Sequence, residues 1–183
     1  MKSVGLILAK KDSNRLKDKN FMDFGDKPMF VWNLEKMLRI FDEVYVSSDY
    51  DLILEESKKM GAAPIKRPKK LCGDVPNIPV YRHAIEFMQK PEIVVAVQAN
   101  SPTIKESLIK KAKDLMEKYD FKELMTCHLD FKLYGSIWAM SKNRLLNYNN
   151  PFKQTPEILL VDDSIDIHTQ EDLTKALKQI NLI

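Results

Sequence analysis

Directly after a short apolar run at residues 4–9, the cations Lys10, Lys11, Arg15, Lys17 and Lys19 fall within ten residues. Ammonium and guanidinium heads at that density can converge on one polyanion, and a triphosphate offers several negative charges to such a loop. A solvated surface loop has the same composition, so both readings stand at this point. Neither GxxxxGK(S/T) nor GxGxxG follows the apolar run, which disfavours the P-loop and dinucleotide-binding turns. Cys72 and Cys127 lie far apart without partner cysteines, so zinc has no ligand set and reduced thiols fit best. His83 and His128 have no carboxylate or cysteine at ligand spacing and read as structural.

The elements that must position these residues follow from periodicity. Residues 4–9 and 93–97 are nearly all apolar, the pattern of strands covered on both faces, as in a parallel sheet. Shorter strands are expected at 43–47, 63–66, 124–126, 136–140 and 159–161. Pro28 suits a first helical turn, and Phe30, Val31, Leu34 and Leu38 form one stripe behind it. Helices are also expected at 51–60, closed by Gly61, and at 81–88. A further helix runs from Thr103, which has capping-box spacing to Glu106, with Ile104, Leu108, Ala112, Leu115 and Met116 buried. The last begins at Thr169 with Asp172 completing its cap. Strands alternating with amphipathic helices imply an α/β fold with helices on both faces of a mostly parallel sheet. Ligands in such folds bind at the carboxyl ends of the strands, which gathers the 10–20 loop, residues 47–49, 98–101 and 162–168 near one edge. No linker divides the chain, and residues 1–183 read as a single domain.

Composition narrows the function classes. Lys plus Arg number 29 against 26 Asp plus Glu, and a net charge of +3 without massed basic residues gives no nucleic-acid footprint. The basic stretch at 66–70 is broken by Pro68 and reads as a solvated turn. The apolar N-terminal run is too short for a signal peptide or a membrane span, so a cytoplasmic, unanchored protein is expected. A chain of 183 residues buries roughly two thirds of its unfolded surface, enough for a core without disulfides.

Residues 8–20 (LAKKDSNRLKDKN) resemble the nucleotide-binding pattern A-R-x-x-S-x-x-x-P-x-K-N of the CMP-sugar synthetases, the cytidylyltransferases that activate sialic acid and related sugars. Four further segments keep that family's order: 41–49 (FDEVYVSSD), 66–74 (KRPKKLCGD), 97–102 (VQANSP) and 163–173 (DSIDIHTQEDL). The resemblance implies a three-layer αβα nucleotidyltransferase fold, Rossmann-like, with a mixed, mostly parallel sheet. It implies a reaction in which a sugar-acid hydroxyl attacks the α-phosphorus of CTP and releases pyrophosphate. Carried over by position, Lys10, Lys19 and Asp166 would be catalytic. Ala9, Lys10, Ser13, Arg15, Lys19, Asn20, Arg67 and Gln98 would bind the nucleotide. Asp166 and His168 would hold Mg2+. The implied partners are CTP, or another NTP, and a sugar acid, with no nucleic acid or membrane; a homodimer is left open.

The chain also departs from that pattern. His168 stands where the family has a second aspartate two residues after Asp166, on the same side of an extended segment; imidazole favours a transition metal, while a solvent-facing histidine is the alternative. Lys10 replaces an arginine, keeping charge but losing the bidentate fork. Asn100 stands where ketodeoxyoctonate-type relatives place a metal-binding aspartate. The insertion that serves dimer contact and sugar binding in sialic-type members is reduced to residues 127–133, so sugar specificity does not carry over. Tyr134 and Trp138 could stack on a ligand or belong to the core. Two other functions fit the same residues: a nucleotide- or partner-binding module without turnover, and a transferase using another NTP.

Overall fold

The computed structural model describes residues 1–11 and 16–180. Nine strands and six α-helices follow one another: β1 (Ser3–Leu8), β2 (Asp23–Phe24), β3 (Lys27–Pro28), α1 (Met29–Ile40), β4 (Val44–Ser48), α2 (Asp51–Lys59), β5 (Ala63–Lys66), α3 (Asn77–Ile85), β6 (Ile93–Gln98), α4 (Glu106–Lys118), β7 (Glu123–Cys127), β8 (Leu133–Ser141), α5 (Lys142–Leu146), β9 (Ile158–Val161) and α6 (Gln170–Ile180). Seven strands form one sheet in the order β5-β4-β1-β6-β8-β7-β9. β8 is antiparallel to both neighbours and every other pairing is parallel. The short pair β2 and β3 lies apart from it.

Side-chain alternation divides the core into two layers. Ile7, Val46, Val95 and Ile137 face one side, where α1, α2 and α4 contribute Leu34, Ile53 and Ala112. Leu6, Tyr45, Ala96 and Trp138 face the other, under α3 and α5 with Tyr81 and Leu145. This is the three-layer α/β sandwich expected of strands apolar on both faces. Gly5 in β1 lets α1 approach closely, because a Cβ there would sit 2.7 Å from Met37 Cε and 3.2 Å from the Phe41 ring. A third cluster ties α6 to the β2–β3 corner through Phe24, Met29, Ile167 and Leu173.

Two local expectations are corrected. The helix expected at 81–88 spans Asn77–Ile85; Pro79 is tolerated in the first turn, whose N–H groups lack intrahelical partners, and residues 86–88 close in i→i−3 turns before Lys90 at φ 48°. Thr103 and Glu106 form no capping box: the Thr103 hydroxyl accepts the Ile165 N–H at 2.9 Å and Glu106 pairs with Arg39 at 2.7 Å, so α4 starts from Lys105 without a side-chain cap. At the last helix the cap is formed. Thr169 N donates to Asp172 Oδ2 at 2.8 Å and Asp172 N returns to Thr169 Oγ1 at 3.2 Å.

Candidate active site

Parallel pairing brings the carboxyl ends of β1, β4 and β6 side by side, with Leu8 level with both Ser47 and Gln98. The chain leaving β1 is pinned at once. Ala9 is fully buried and donates its N–H to Ser47 O at 3.1 Å, and the Lys10 carbonyl accepts Asn20 Nδ2 at 2.8 Å. The Lys10 ammonium reaches Asp74 Oδ1 at 2.8 Å. Asp18 takes φ 50°, and its carbonyl accepts the N–H groups of Phe21 and Met22. That turn directs Lys19 inward, only 6% exposed, where its Nζ donates to Ile167 O at 2.8 Å and lies 3.4 Å from His168 Nδ1.

Arg67 follows β5 and is equally buried, with Nε donating to Ser47 Oγ at 3.0 Å and Nη2 to Ser47 O at 2.8 Å. Desolvation pushes its pKa below the usual guanidinium value, against the opposing pull of Asp49. Across the opening, Ile167 is fully buried and donates its N–H to Asn100 O at 2.9 Å, so its neighbours Asp166 and His168 turn to the opposite side. Asp166 Oδ1 accepts the Asn100 amide, and Asp166 Oδ2 lies 2.6 Å from His168 Nε2. Two ligands at right angles on an ion with bonds of about 2.1 Å stand about 3.0 Å apart. The 2.6 Å spacing of the Asp166–His168 pair is close to that value, and a carboxylate oxygen with an imidazole nitrogen is a donor set that would suit a divalent ion.

A cleft of about 420 Å³ joins these groups. Lys10, Lys19, Asn20, Arg67, Gln98, Asp166 and His168 all line it, over the buried Ala9. His168 turns into the cleft beside Asp166 and keeps about one third of its side chain, 33%, exposed. Lys11 and Lys17 are exposed and outside the lining, so the convergence expected of the basic loop is carried by Lys10 and Lys19 among the described residues. Ser13 and Arg15 lie outside the described residues. The opposite wall was not assigned from sequence: Met125, Leu133, Tyr134, Gly135 and Trp138 come from β7 and β8, with Asn77 and Gln154 beside them. Tyr134 and Trp138 were the visible signal: Trp138 serves core and cleft, and Tyr134 lies half-buried on the cleft wall. The Trp138 indole donates to Glu123 Oε1 at 3.0 Å while its ring meets Tyr81 edge-on. Tyr134 stacks on His128 at 4.4 Å, its hydroxyl 2.7 Å from Ser101 Oγ, and burial drives its pKa well upward so that it stays a neutral phenol.

A family model described as cytidylyltransferase matches residues 4–173. The chain belongs to the cytidylyltransferase family. It is 30% identical over 184 residues to the pseudaminic acid cytidylyltransferase of Campylobacter jejuni, covering 96% of this chain and 74% of the relative. Its fold matches a CMP:2-keto-3-deoxy-manno-octonic acid synthetase solved with CTP, at TM-score 0.80 and 17% identity over 100% of this chain and 99% of the other. A Mycobacterium tuberculosis protein solved with manganese superimposes at TM-score 0.72 and 12% identity, covering 97% and 99% of the two chains. The family is that of the CMP-sugar synthetases, which transfer CMP from CTP to a sugar acid. In this cytidylyltransferase the link between β7 and β8 is a short turn, closed by His128 N donating to Lys132 O at 2.9 Å.

Proposed function

We propose that the cationic wall of the cleft seats CTP and that the β7–β8 wall receives the sugar acid. Lys10 and Lys19 meet the phosphates, Ala9, Asn20, Arg67 and Gln98 hold the nucleoside half, and Ser13 and Arg15, outside the described residues, are nucleotide-binding by their match to the family pattern. Asp166 and His168 hold the divalent ion, Mg2+ in the working enzyme, which when bound neutralises charge on the phosphates. The observation that carries this reading is the meeting of Lys10, Lys19 and Asp166, residues far apart in the chain, in one cleft with Arg67 and Gln98.

The acceptor is a nonulosonic acid, a sialic acid-like sugar of the kind named in the pseudaminic acid relative. The wall offered to it carries amides and aromatic rings, Asn77, Gln154, Tyr134 and Trp138, with no cation among its described residues. The acceptor hydroxyl attacks the α-phosphorus, a new P–O bond forms, the bond to the bridging oxygen breaks, and pyrophosphate departs with its charge held by Lys10 and Lys19. The hydroxyl proton passes to water. Positioning and fixed cations carry most of such catalysis, since the charge that develops is on phosphate oxygens. CTP is a cytoplasmic metabolite, and the free thiols of Cys72 and Cys127 suit that compartment. Among the described residues no helix is long and apolar enough to cross a membrane.

The test is pyrophosphate release from CTP with Mg2+ against a panel of nonulosonic acids and sugar phosphates, alongside calorimetric titration with the four nucleoside triphosphates. Release with a nonulosonic acid, and CTP bound in preference to the others, is the expected result. Absence of CTP binding with and without Mg2+ would refute it.

A further inference from the structure

The turn that follows β6, residues 98–104, carries Asn100 and Ser101 into the cleft, yet its own backbone holds it weakly. Ser101 N reaches Gln98 O at 3.4 Å and Ile104 N reaches Ser101 O at 3.2 Å, and Pro102 has no N–H to give. Besides the N–H groups of Ile167 on Asn100 O and Ile165 on Thr103 Oγ1, both at 2.9 Å, two side chains of α1 hold it. Asn33 is fully buried, and its amide donates to Gln98 O and to Ser101 O, both at 2.9 Å. The Lys36 ammonium donates to Asn33 Oδ1 at 3.1 Å, to Pro102 O at 2.7 Å and to Ile104 O at 2.8 Å. Three ammonium hydrogens meet three acceptors, and both amide hydrogens of Asn33 are used.

We propose that Asn33 and Lys36 are positioning residues for the cation-binding end of the cleft, fixing the turn from which Asn100 orients Asp166. The link is short. Asn100 donates its side-chain amide to Asp166 and accepts Ile167 N–H through its carbonyl, so movement of Asn100 moves the Asp166–His168 pair. Gln98 has a second anchor besides the Asn33 amide, because its backbone is in register with Leu8 of β1. Loss of the clamp therefore weakens the cation end and spares the nucleotide end.

The clamp is sensitive to pH. Burial, the largest effect, together with the nearby Arg39 and Lys27 and against the opposing Glu106 and Glu35, lowers the Lys36 pKa to about 8. A neutral amine has two hydrogens for three acceptors.

The inference rests on the CTP and divalent-cation reading of the cleft, and the experiment separates the two. Mn2+ binding to the CTP-loaded protein is followed by electron paramagnetic resonance at about pH 7 and about pH 9, either side of the Lys36 pKa. Wild type is compared with Lys36→Met, Lys36→Arg and Arg39→Met, the last removing another cation of α1 and breaking its exposed pair with Glu106 of α4. At the lower pH, Lys36→Met is expected to raise the Mn2+ dissociation constant about tenfold, Lys36→Arg to restore it to within about threefold, and Arg39→Met to leave it unchanged. CTP affinity without cation moves by less than about threefold from wild type in all three variants. Wild-type Mn2+ affinity falls at the higher pH, and the Lys36 variants lose that dependence. Wild-type Mn2+ affinity in Lys36→Met, or an equal loss in Arg39→Met, would overturn the clamp while the cleft reading stands. Should Lys36→Met not fold, a flat wild-type profile across the two pH values overturns it. Absence of CTP and Mn2+ binding in wild type would remove both.

Discussion

Replacing Lys19 by Met keeps the length of a nearly buried side chain and deletes its charge. The position lies 6% exposed on the cleft wall. A phosphate oxygen about 4 Å from the ammonium, at an effective dielectric near 20, gains about 4 kcal/mol of attraction. Lys10 and the bound cation compensate part of the loss, leaving about 2–3 kcal/mol, or roughly 30- to 150-fold weaker CTP binding. The same substitution removes the 2.8 Å bond to Ile167 O, but it also relieves the desolvation of a buried charge. The two terms oppose each other, so stability changes by about 1 kcal/mol and Tm by about 2–4 °C. Calorimetric titration with CTP and a thermal melt give the two readouts, with Lys17→Met, exposed and outside the cleft, as control. If Lys19→Met melts within that window and binds CTP within about threefold of wild type, Lys19 is no phosphate ligand and the assignment of the cationic wall fails.

His168→Asp supplies a second oxygen donor beside Asp166 and is expected to lower the half-saturating Mg2+ concentration about tenfold, read from Mg2+-dependent pyrophosphate release and by competition with Mn2+. Glu123 is fully buried, accepts from Trp138 and Tyr148, and pairs with Arg144 at 2.9 Å. Glu123→Gln should cost about 3 kcal/mol in denaturant unfolding, at the low end for a broken buried pair because Arg144 reaches solvent. Across the pH range the sign for Lys36 is fixed: the folded protein releases this proton near about 8 and the unfolded chain near its usual 10.5, so the unfolded state binds more protons between the two. The wild-type advantage in unfolding free energy over Lys36→Met therefore rises from pH 8 toward 10.5, by at most about 3 kcal/mol; a fall in that window would contradict the burial of this group.

Much of this molecule was set by the amino-acid pattern. Apolar runs at β1 and β6 could be stable only with both faces covered, and that requirement produces the parallel centre of the sheet and the helices on each side. The i, i+2 spacing of Asp166 and His168 put both donors on one side as soon as the segment was extended, and Ile167 anchored the other side. The capping residues of α4 read the same way but were claimed by Ile165 and Arg39, partners distant in sequence. Local spacing states what a side chain can bond, and packing selects among the partners it meets.

The tertiary structure alone decided the rest. Five cations in one loop carry equal charge in the sequence, but the Asp18 turn buries Lys19 and leaves Lys11 and Lys17 in solvent. The wall of the cleft built with Asn77 from α3, Gln154 from a connector and Tyr134 from β8 has no local pattern, because its members are adjacent only through sheet order. Asn33 and Lys36 look like ordinary polar positions of an amphipathic helix, and only the path of the chain after β6 turns them inward onto its carbonyls. Periodicity is a property of neighbours along the chain and fixes the layers; a site is a property of neighbours in space, and it exists only once those layers have packed.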